Sequence, residues 1–450
     1  MEMPPFGVLI VMMINTNKIE FEKLHGRQIS VPAAALKEYP ARYERVPAIR
    51  QVDTSYYCSR CNSICNAFLP GQIAYCRECI GLGRVTANDY LVRIPDAPRQ
   101  LPQDSVLRWT GKLTPAQERV SRDLMASFTT KSNHLVHAVT GAGKTEMLFK
   151  VVATALSAGN RVCLATPRID VVNELFPRFS QAFSNTKIGK YHGQEYSEPE
   201  NDQLVICTTH QLLKFYHAFE LVIIDEVDAF PYRDSRLLAF GAATAQKLSG
   251  CTFFLTATPA KEQLALVKKN QLHYSLLCRR FHGFDLPVPQ AKLVVGATIS
   301  QKGRINWIII KAIRKLIALQ KPLMIFVPKI AQLDSYYRTL SKLFPTVAMA
   351  SVHAGDAERI EKIMQFRAGE LDLLLTTTIL ERGVTIREAQ VIVLDADDRI
   401  YNTASLVQIA GRVGRAANDP SGQVYFFYHE YRESIQKAIK QIKRMNKHGK

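Results

Sequence analysis

His134-Leu-Val-His-Ala-Val-Thr-Gly-Ala-Gly-Lys-Thr-Glu146 is the stretch whose reading decides the fold. An apolar run, His134 to Val139, predicts a buried strand, and Glu146 to Leu156 has the period of a helix. Between them, Ala138 to Thr145 fits the phosphate-loop pattern, with Ala138 where the first glycine usually stands. Glycines at 141 and 143 let backbone N–H groups close around phosphate oxygens, and the following helix adds its positive end. Thr140, Gly141, Ala142, Gly143, Lys144 and Thr145 are therefore the expected nucleotide cradle. Lys144 would reach the β- and γ-phosphates, and the Thr145 hydroxyl would ligate Mg²⁺.

Outward from this turn the same alternation continues. Arg161–Thr166, Leu204–Thr208, Leu221–Ile224 and Thr252–Thr256 are near-continuous apolar runs, as strands of a parallel sheet covered on both faces require. A segment with Pro287 and Pro289 precedes a second series, Leu323–Val327, Leu371–Thr376, Val391–Leu394 and Val424–Phe427. The expected fold is α/β: two tandem RecA-like parallel-sheet lobes behind a small four-cysteine module. The expected divisions are 1–55, of unassigned role; 56–103, cysteine module and linker; 104–285, ATP-binding lobe; and 286–450, second lobe.

Leu221-Val-Ile-Ile-Asp225-Glu226 ends an apolar strand in two carboxylates. Asp225 is placed to hold Mg²⁺ and Glu226 to orient and deprotonate an attacking water. An acidic pair at a strand end is commonly a solvated turn; the phosphate loop upstream favours the catalytic reading.

Five of the nine cysteines fall between 58 and 79. Cys58-x2-Cys61-x14-Cys76-x2-Cys79 is two close pairs at zinc-ribbon separation, and four thiolates fill a tetrahedral zinc shell with no open position. A structural Zn²⁺ is expected, with Cys65 outside the ligand set. Tyr56, Tyr57, Phe68 and Tyr75 alternate with Arg60, Arg77 and Arg84, a pattern that suits either stacking on a single strand or the core of the small module. The scattered Cys163, Cys207, Cys251 and Cys278 argue for a reducing compartment rather than a disulfide framework.

Fifty-eight Lys and Arg against forty Asp and Glu leave a net charge of +18, which favours polyanionic partners. Gly7–Ile14 is too short for a membrane span, which needs ~20 residues; it reads as a short strand or an unstructured start.

The remaining segments resemble the motifs of superfamily 2 helicases. Leu113-Thr-Pro-Ala-Gln117 resembles the adenine-reading segment, Asp225-Glu-Val-Asp228 the acidic signature, and Thr256-Ala-Thr-Pro259 the motif coupling hydrolysis to DNA. Arg382-Gly383-Val-Thr385 and Gln408-Ile-Ala-Gly-Arg412-Val-Gly-Arg415 resemble the two motifs of the second lobe. That resemblance assigns Gln117 and Gly383 to the nucleotide, and Gln408, Arg412 and Arg415 to catalysis, the arginines stabilising charge on the transferred phosphoryl group. It assigns Thr166, Arg168, Thr209, His210 and Thr377 to the DNA backbone.

With four cysteines ahead of the motor, the stretches His137–Met147, Thr208–Tyr216, Asp225–Pro231 and Thr377–Thr385 resemble more narrowly the ComFA family of late-competence DNA-uptake ATPases. The resemblance implies a cytoplasmic, DNA-stimulated ATPase, peripheral at the inner face of the membrane, that pulls incoming single-stranded DNA during transformation. Its implied partners are single-stranded DNA, a ComFC-like competence protein, the membrane DNA channel and strand-loading proteins, with homo-oligomerisation left open. A replication-restart helicase of the primosomal type is the alternative, but there the cysteines interrupt the motor late in the chain. A zinc-dependent binding module with a dead ATPase is disfavoured by Lys144, Asp225, Glu226 and Arg412.

Overall fold

The computed structural model describes residues 20–97, 106–194, 198–383, 386–416 and 419–449. Gly7–Ile14 and residues 98–103 of the expected linker lie outside them. Two compact units are present. One takes in the chain to Val136 and Thr145–Ser275; the other takes in His137–Lys144 and Leu276 onward.

The first large sheet has seven strands in the order Ile188–Tyr191, Leu204–Thr208, Val162–Thr166, Phe219–Ile224, Gln246–Thr256, His134–Ala138, His273–Leu277. The first four of these neighbours and Gln246–Thr256 pair in parallel. Leu204–Thr208 and Val162–Thr166 are buried at every position, which is why they read as unbroken apolar runs. The helix Pro115–Thr129 opens on a capping box: Gln117 N donates to Thr114 Oγ1 at 3.3 Å, and Thr114 N to Gln117 Oε1 at 2.8 Å. Pro115 fits the first helical position, where no N–H is missed.

The second sheet has six strands: Gln290–Leu293, Val424–Tyr428, Gln390–Val393, Leu323–Phe326, Leu373–Thr376, Met349–Val352, all paired in parallel. Its core joins Ile309, Ile313 and Leu316 of the helix Trp307–Ile317 to Leu323, Leu373 and Ile392 of the strands. The basic C-terminal helix Glu433–His448 buries Ile435, Ala438, Ile442 and Met445 and turns its lysines outward. It is an amphipathic helix that closes the core and presents a charged outer face.

Ahead of the motor, Gln28–Pro32 and Glu44–Pro47 both pair antiparallel with Asp89–Arg93. The cysteine module is thus inserted into one small sheet, whose strands come from both sides of the expected division at residue 55. Its core is continuous with that of the ATP-binding part of the same unit: Leu213 is buried among the cysteines, and Leu237 packs against them.

Candidate nucleotide and metal sites

The phosphate loop sits where the sequence places it. It follows the strand His134–Ala138 and opens the helix Lys144–Ser157. Gly141 (φ +76°) and Gly143 (φ +71°) adopt the left-handed backbone that glycine permits without strain. Thr140, Ala142 and Thr145 are buried, and Gly141, Gly143 and Lys144 keep accessible surface. Gln117 is buried and its carboxamide oxygen closes the helix cap just described.

Asp225 follows the strand Phe219–Ile224 and is held by its own N–H, which donates to Ala165 O at 2.9 Å. Asp225 Oδ1 accepts from Glu226 N at 2.9 Å, and Glu226 takes a positive φ of 56°. A non-glycine residue in that region is uncommon. Asp228, buried, accepts from Thr258 Oγ1 at 2.6 Å, and Thr258 N donates to Thr256 Oγ1 at 3.0 Å. A carboxylate and a hydroxyl are hard oxygen donors of the kind Mg²⁺ takes, so Asp225 and Thr145 are chemically suited to it.

In the second unit, Gln408 lies on the helix Thr403–Ala410 and is buried. Arg412, also buried, donates from Nε to Glu381 O at 3.0 Å, and half-buried Arg415 donates to Gly411 O at 3.1 Å. Gly383 has φ +71°; Val384 and Thr385 of the same motif lie outside the described residues. The phosphate-loop residues 137–144 belong to this unit. A Cβ on Gly411 would fall 1.9 Å from Thr140 Oγ1, so glycine there permits the close approach.

One residue of this unit escaped the sequence reading. Arg280 is fully buried, and its guanidinium donates to Val413 O at 2.6 Å, Gly411 O at 3.1 Å and Gly414 O. It thereby braces the turn that carries Arg412 and Arg415. Burial and the neighbouring Arg415 charge pull its pKa down to about 9. The only sequence signal is the Arg279-Arg280 pair after a strand, which looks like a solvated end.

The residues expected at the DNA backbone divide into two sets. Thr166 and Thr209 have no accessible surface, and Thr377 is buried. Arg168 and His210 keep accessible surface; Arg168 pairs with Asp170 at 3.3 Å, and burial lowers the His210 pKa.

The Sγ atoms of Cys58, Cys61, Cys76 and Cys79 all lie within 4.8 Å of one another, and all four residues are buried. Cys58–Cys79 is 3.8 Å and Cys61–Cys76 is 3.5 Å. A tetrahedral zinc with ~2.3 Å Zn–S bonds needs sulfurs roughly 3.8 Å apart, so the cluster is shaped for one ion. Arg60 Nε donates to Cys79 Sγ at 3.3 Å, a charge partner for a thiolate. Cys65 points to Ser63 O at 3.7 Å and stands outside the group. Tyr56 and Phe68 pack edge to face at 5.9 Å, while Arg77 and Arg84 are exposed.

Among the described residues no helix is long and apolar enough to cross a membrane. Residues 110–261 match the family described as type III restriction enzyme, res subunit, and residues 308–417 the helicase conserved C-terminal domain. The fold is shared with S. cerevisiae Dbp5 bound to RNA and ADP BeF3: TM-score 0.57, 16% identity, 75% of this chain and 88% of that one. The competence protein ComFA of Bacillus subtilis is 38% identical over 87% of this chain and 86% of its own length. That of Streptococcus pneumoniae is 42% identical over 90% of this chain and 93% of its own. The protein is therefore an ATP-dependent, DNA-binding enzyme of helicase type, and it belongs to the ComFA family of competence proteins.

Proposed function

We propose that this protein is a DNA-stimulated ATPase that moves along single-stranded DNA and drives import of transforming DNA into competent cells. The observation that carries the reading is family membership over nearly the full length of a ComFA relative, together with a complete set of phosphate-loop, acidic and arginine motifs. Lys144 and the loop N–H groups hold the phosphates, while Asp225 and Thr145 are the residues that would hold Mg²⁺. The ion supplies neutralisation of charge on the β- and γ-phosphate oxygens. Glu226 takes the proton of the attacking water, and Gln408, Arg412 and Arg415 stabilise the transferred phosphoryl group. The positioning of these groups in one turnover cycle would make strand binding and hydrolysis interdependent.

The strand grip falls to Arg168, His210 and backbone N–H groups beside Thr166, Thr209 and Thr377, contacts that carry no base information. Its partners in this reading are single-stranded DNA, a ComFC-like protein, the membrane channel and strand-loading proteins, at the cytoplasmic face of the membrane. ATPase rates at equal nucleotide concentrations of single-stranded and blunt duplex DNA test it, at low and physiological salt. Single strands should stimulate more at both, with log affinity falling by roughly 0.7 per neutralised phosphate per log unit of salt. Equal stimulation by blunt duplex, or strong dependence on base sequence, overturns the reading.

A further inference from the structure

A cavity of about 290 Å³ opens where the amino-terminal sheet, the cysteine module and the turn Thr209–Lys214 of the motor meet within the first unit. Its volume falls just below the roughly 300–1,000 Å³ typical of small-molecule sites, room for one small ligand. Two properties of its lining restrict what that ligand is.

The first is charge. Arg27, Arg60, Arg84 and Lys214 line it, against the single carboxylate of Glu38. Arg27 and Arg60 are buried, whereas Arg84 and Glu38 are exposed. Arg27 lies over the rings of both Tyr191 and Phe215, at 4.7 and 4.5 Å from their centroids. Arg60 is anchored through Cys79 O at 3.1 Å and Gly83 O. Burial, with the Arg27 and Arg60 charges, pulls Lys214 down to about 7. A multiply charged anion would relieve that repulsion, and planar guanidinium forks match phosphate better than a point anion.

The second is the rest of the wall. Ile29, Val31, Ala35, Tyr39 and Leu82 make most of it apolar. Gln28, also buried in the lining, donates from Nε2 to Leu213 O at 3.0 Å, while its Oε1 has no hydrogen-bond partner among the described residues. A buried acceptor left unmet is costly and calls for a donor from the ligand. The ligand must therefore combine a phosphate, an apolar body and a hydroxyl or amino donor. A diacyl lipid is too large for the space; a nucleoside monophosphate has all three features.

We propose that this cavity binds one nucleoside monophosphate unit, its phosphate toward Lys214, Arg27 and Arg84, and its donor group toward Gln28. The unit comes either as a free mononucleotide or as the 5′-phosphorylated end of a DNA strand. The site is separate from the phosphate loop and stands whether or not the chain is an import motor.

The test is equilibrium dialysis of the full-length, zinc-loaded chain with labelled deoxyadenosine monophosphate, with the phosphate loop saturated by MgADP. One further nucleotide per chain should bind, and Lys214→Gln or Arg84→Gln should weaken it about tenfold or more, with ADP affinity unchanged. Arg84 is exposed, so its variant keeps the test valid if Lys214→Gln disturbs folding. Displacement by a 5′-phosphorylated but not an unphosphorylated oligonucleotide assigns the unit to a strand end. Persistence of the mononucleotide against both assigns it to the free form. No binding, equal binding by inorganic phosphate, or affinity unchanged in both variants overturns the proposal.

Discussion

Thr258 Oγ1 donates a 2.6 Å hydrogen bond to Asp228 Oδ2, joining the acidic segment after one central strand to the Thr-Ala-Thr-Pro turn after the next. Both strands are neighbours in the same sheet, in parallel register from Leu221↔Cys251 to Ile224↔Phe254. The bond therefore ties the segment that follows Asp225 and Glu226 to the turn Thr256–Pro259. A hydrogen bond to a charged acceptor contributes ~1.5–3 kcal/mol.

Thr258→Val should retain nucleotide binding while stimulation of turnover by single-stranded DNA falls roughly tenfold, the rate equivalent of ~1.4 kcal/mol. Asp228→Ala, which leaves no acceptor for the Thr258 hydroxyl, should do the same, and the double variant should be no worse than either single one, because both remove the same bond. Additive losses in steady-state ATPase assays would show that the two residues act separately.

Lys144→Ala should abolish ATP turnover while single-strand binding measured by anisotropy is largely unchanged. Glu226→Gln should bind ATP and hydrolyse it at least ~100-fold more slowly, the usual range for loss of a general base. Near-normal turnover in either variant would remove that residue from the assigned chemistry.

Elemental analysis should find about one zinc per chain, as four thiolates within bonding geometry require. Cys58→Ala or Cys79→Ala should lose it, and Cys65→Ala should keep it. Because Leu213 lies in the core of the cysteine cluster, metal loss should also lower the melting temperature of the motor unit. Proteolysis confined to residues 56–83, with the motor's melting unchanged, would show that the module's core is independent.

His134 is buried, with Ser127 Oγ 2.8 Å from its Nδ1 and Ser275 Oγ 2.9 Å from its Nε2. Burial lowers its pKa from 6.5 to about 4, partly opposed by Asp123. The folded state thus binds the proton less well than the unfolded state. Its stability contribution is present above about 6.5 and is lost as pH falls toward about 4. The full shift is on the order of 3 kcal/mol. Thermal melts from pH 7 to 4 should decline less steeply in His134→Gln than in the parent; equal slopes would refute this origin.

Which strands were legible follows from where they lie in the sheets. Val162–Thr166, Leu204–Thr208, Leu323–Phe326 and Leu373–Thr376 are covered on both faces, so every position is apolar or small and the run stands out. Four strands carried no such signal: Ile188–Tyr191, His273–Leu277, Gln290–Leu293 and Met349–Val352. These are the two edges of each large sheet. An edge strand is partly solvated and tolerates Lys190, His273 and Lys292, so its pattern dissolves into that of a loop.

The sequence by itself determined what depends on residues close along the chain. The phosphate loop, the acidic strand end, the arginine turn and the two cysteine pairs are each built within about ten residues, where spacing alone sets geometry. Tertiary structure alone decided what depends on packing between distant segments. It buried the hydroxyl-bearing Thr166 and Thr209. It set Arg280 on the carbonyls of Gly411, Val413 and Gly414, over 130 residues away. It also gathered Arg27, Arg60, Arg84 and Lys214 around one cavity. Read along the chain, Arg27, Arg60 and Arg280 are ordinary surface charges, because burial is a property of neighbours that only the folded chain supplies.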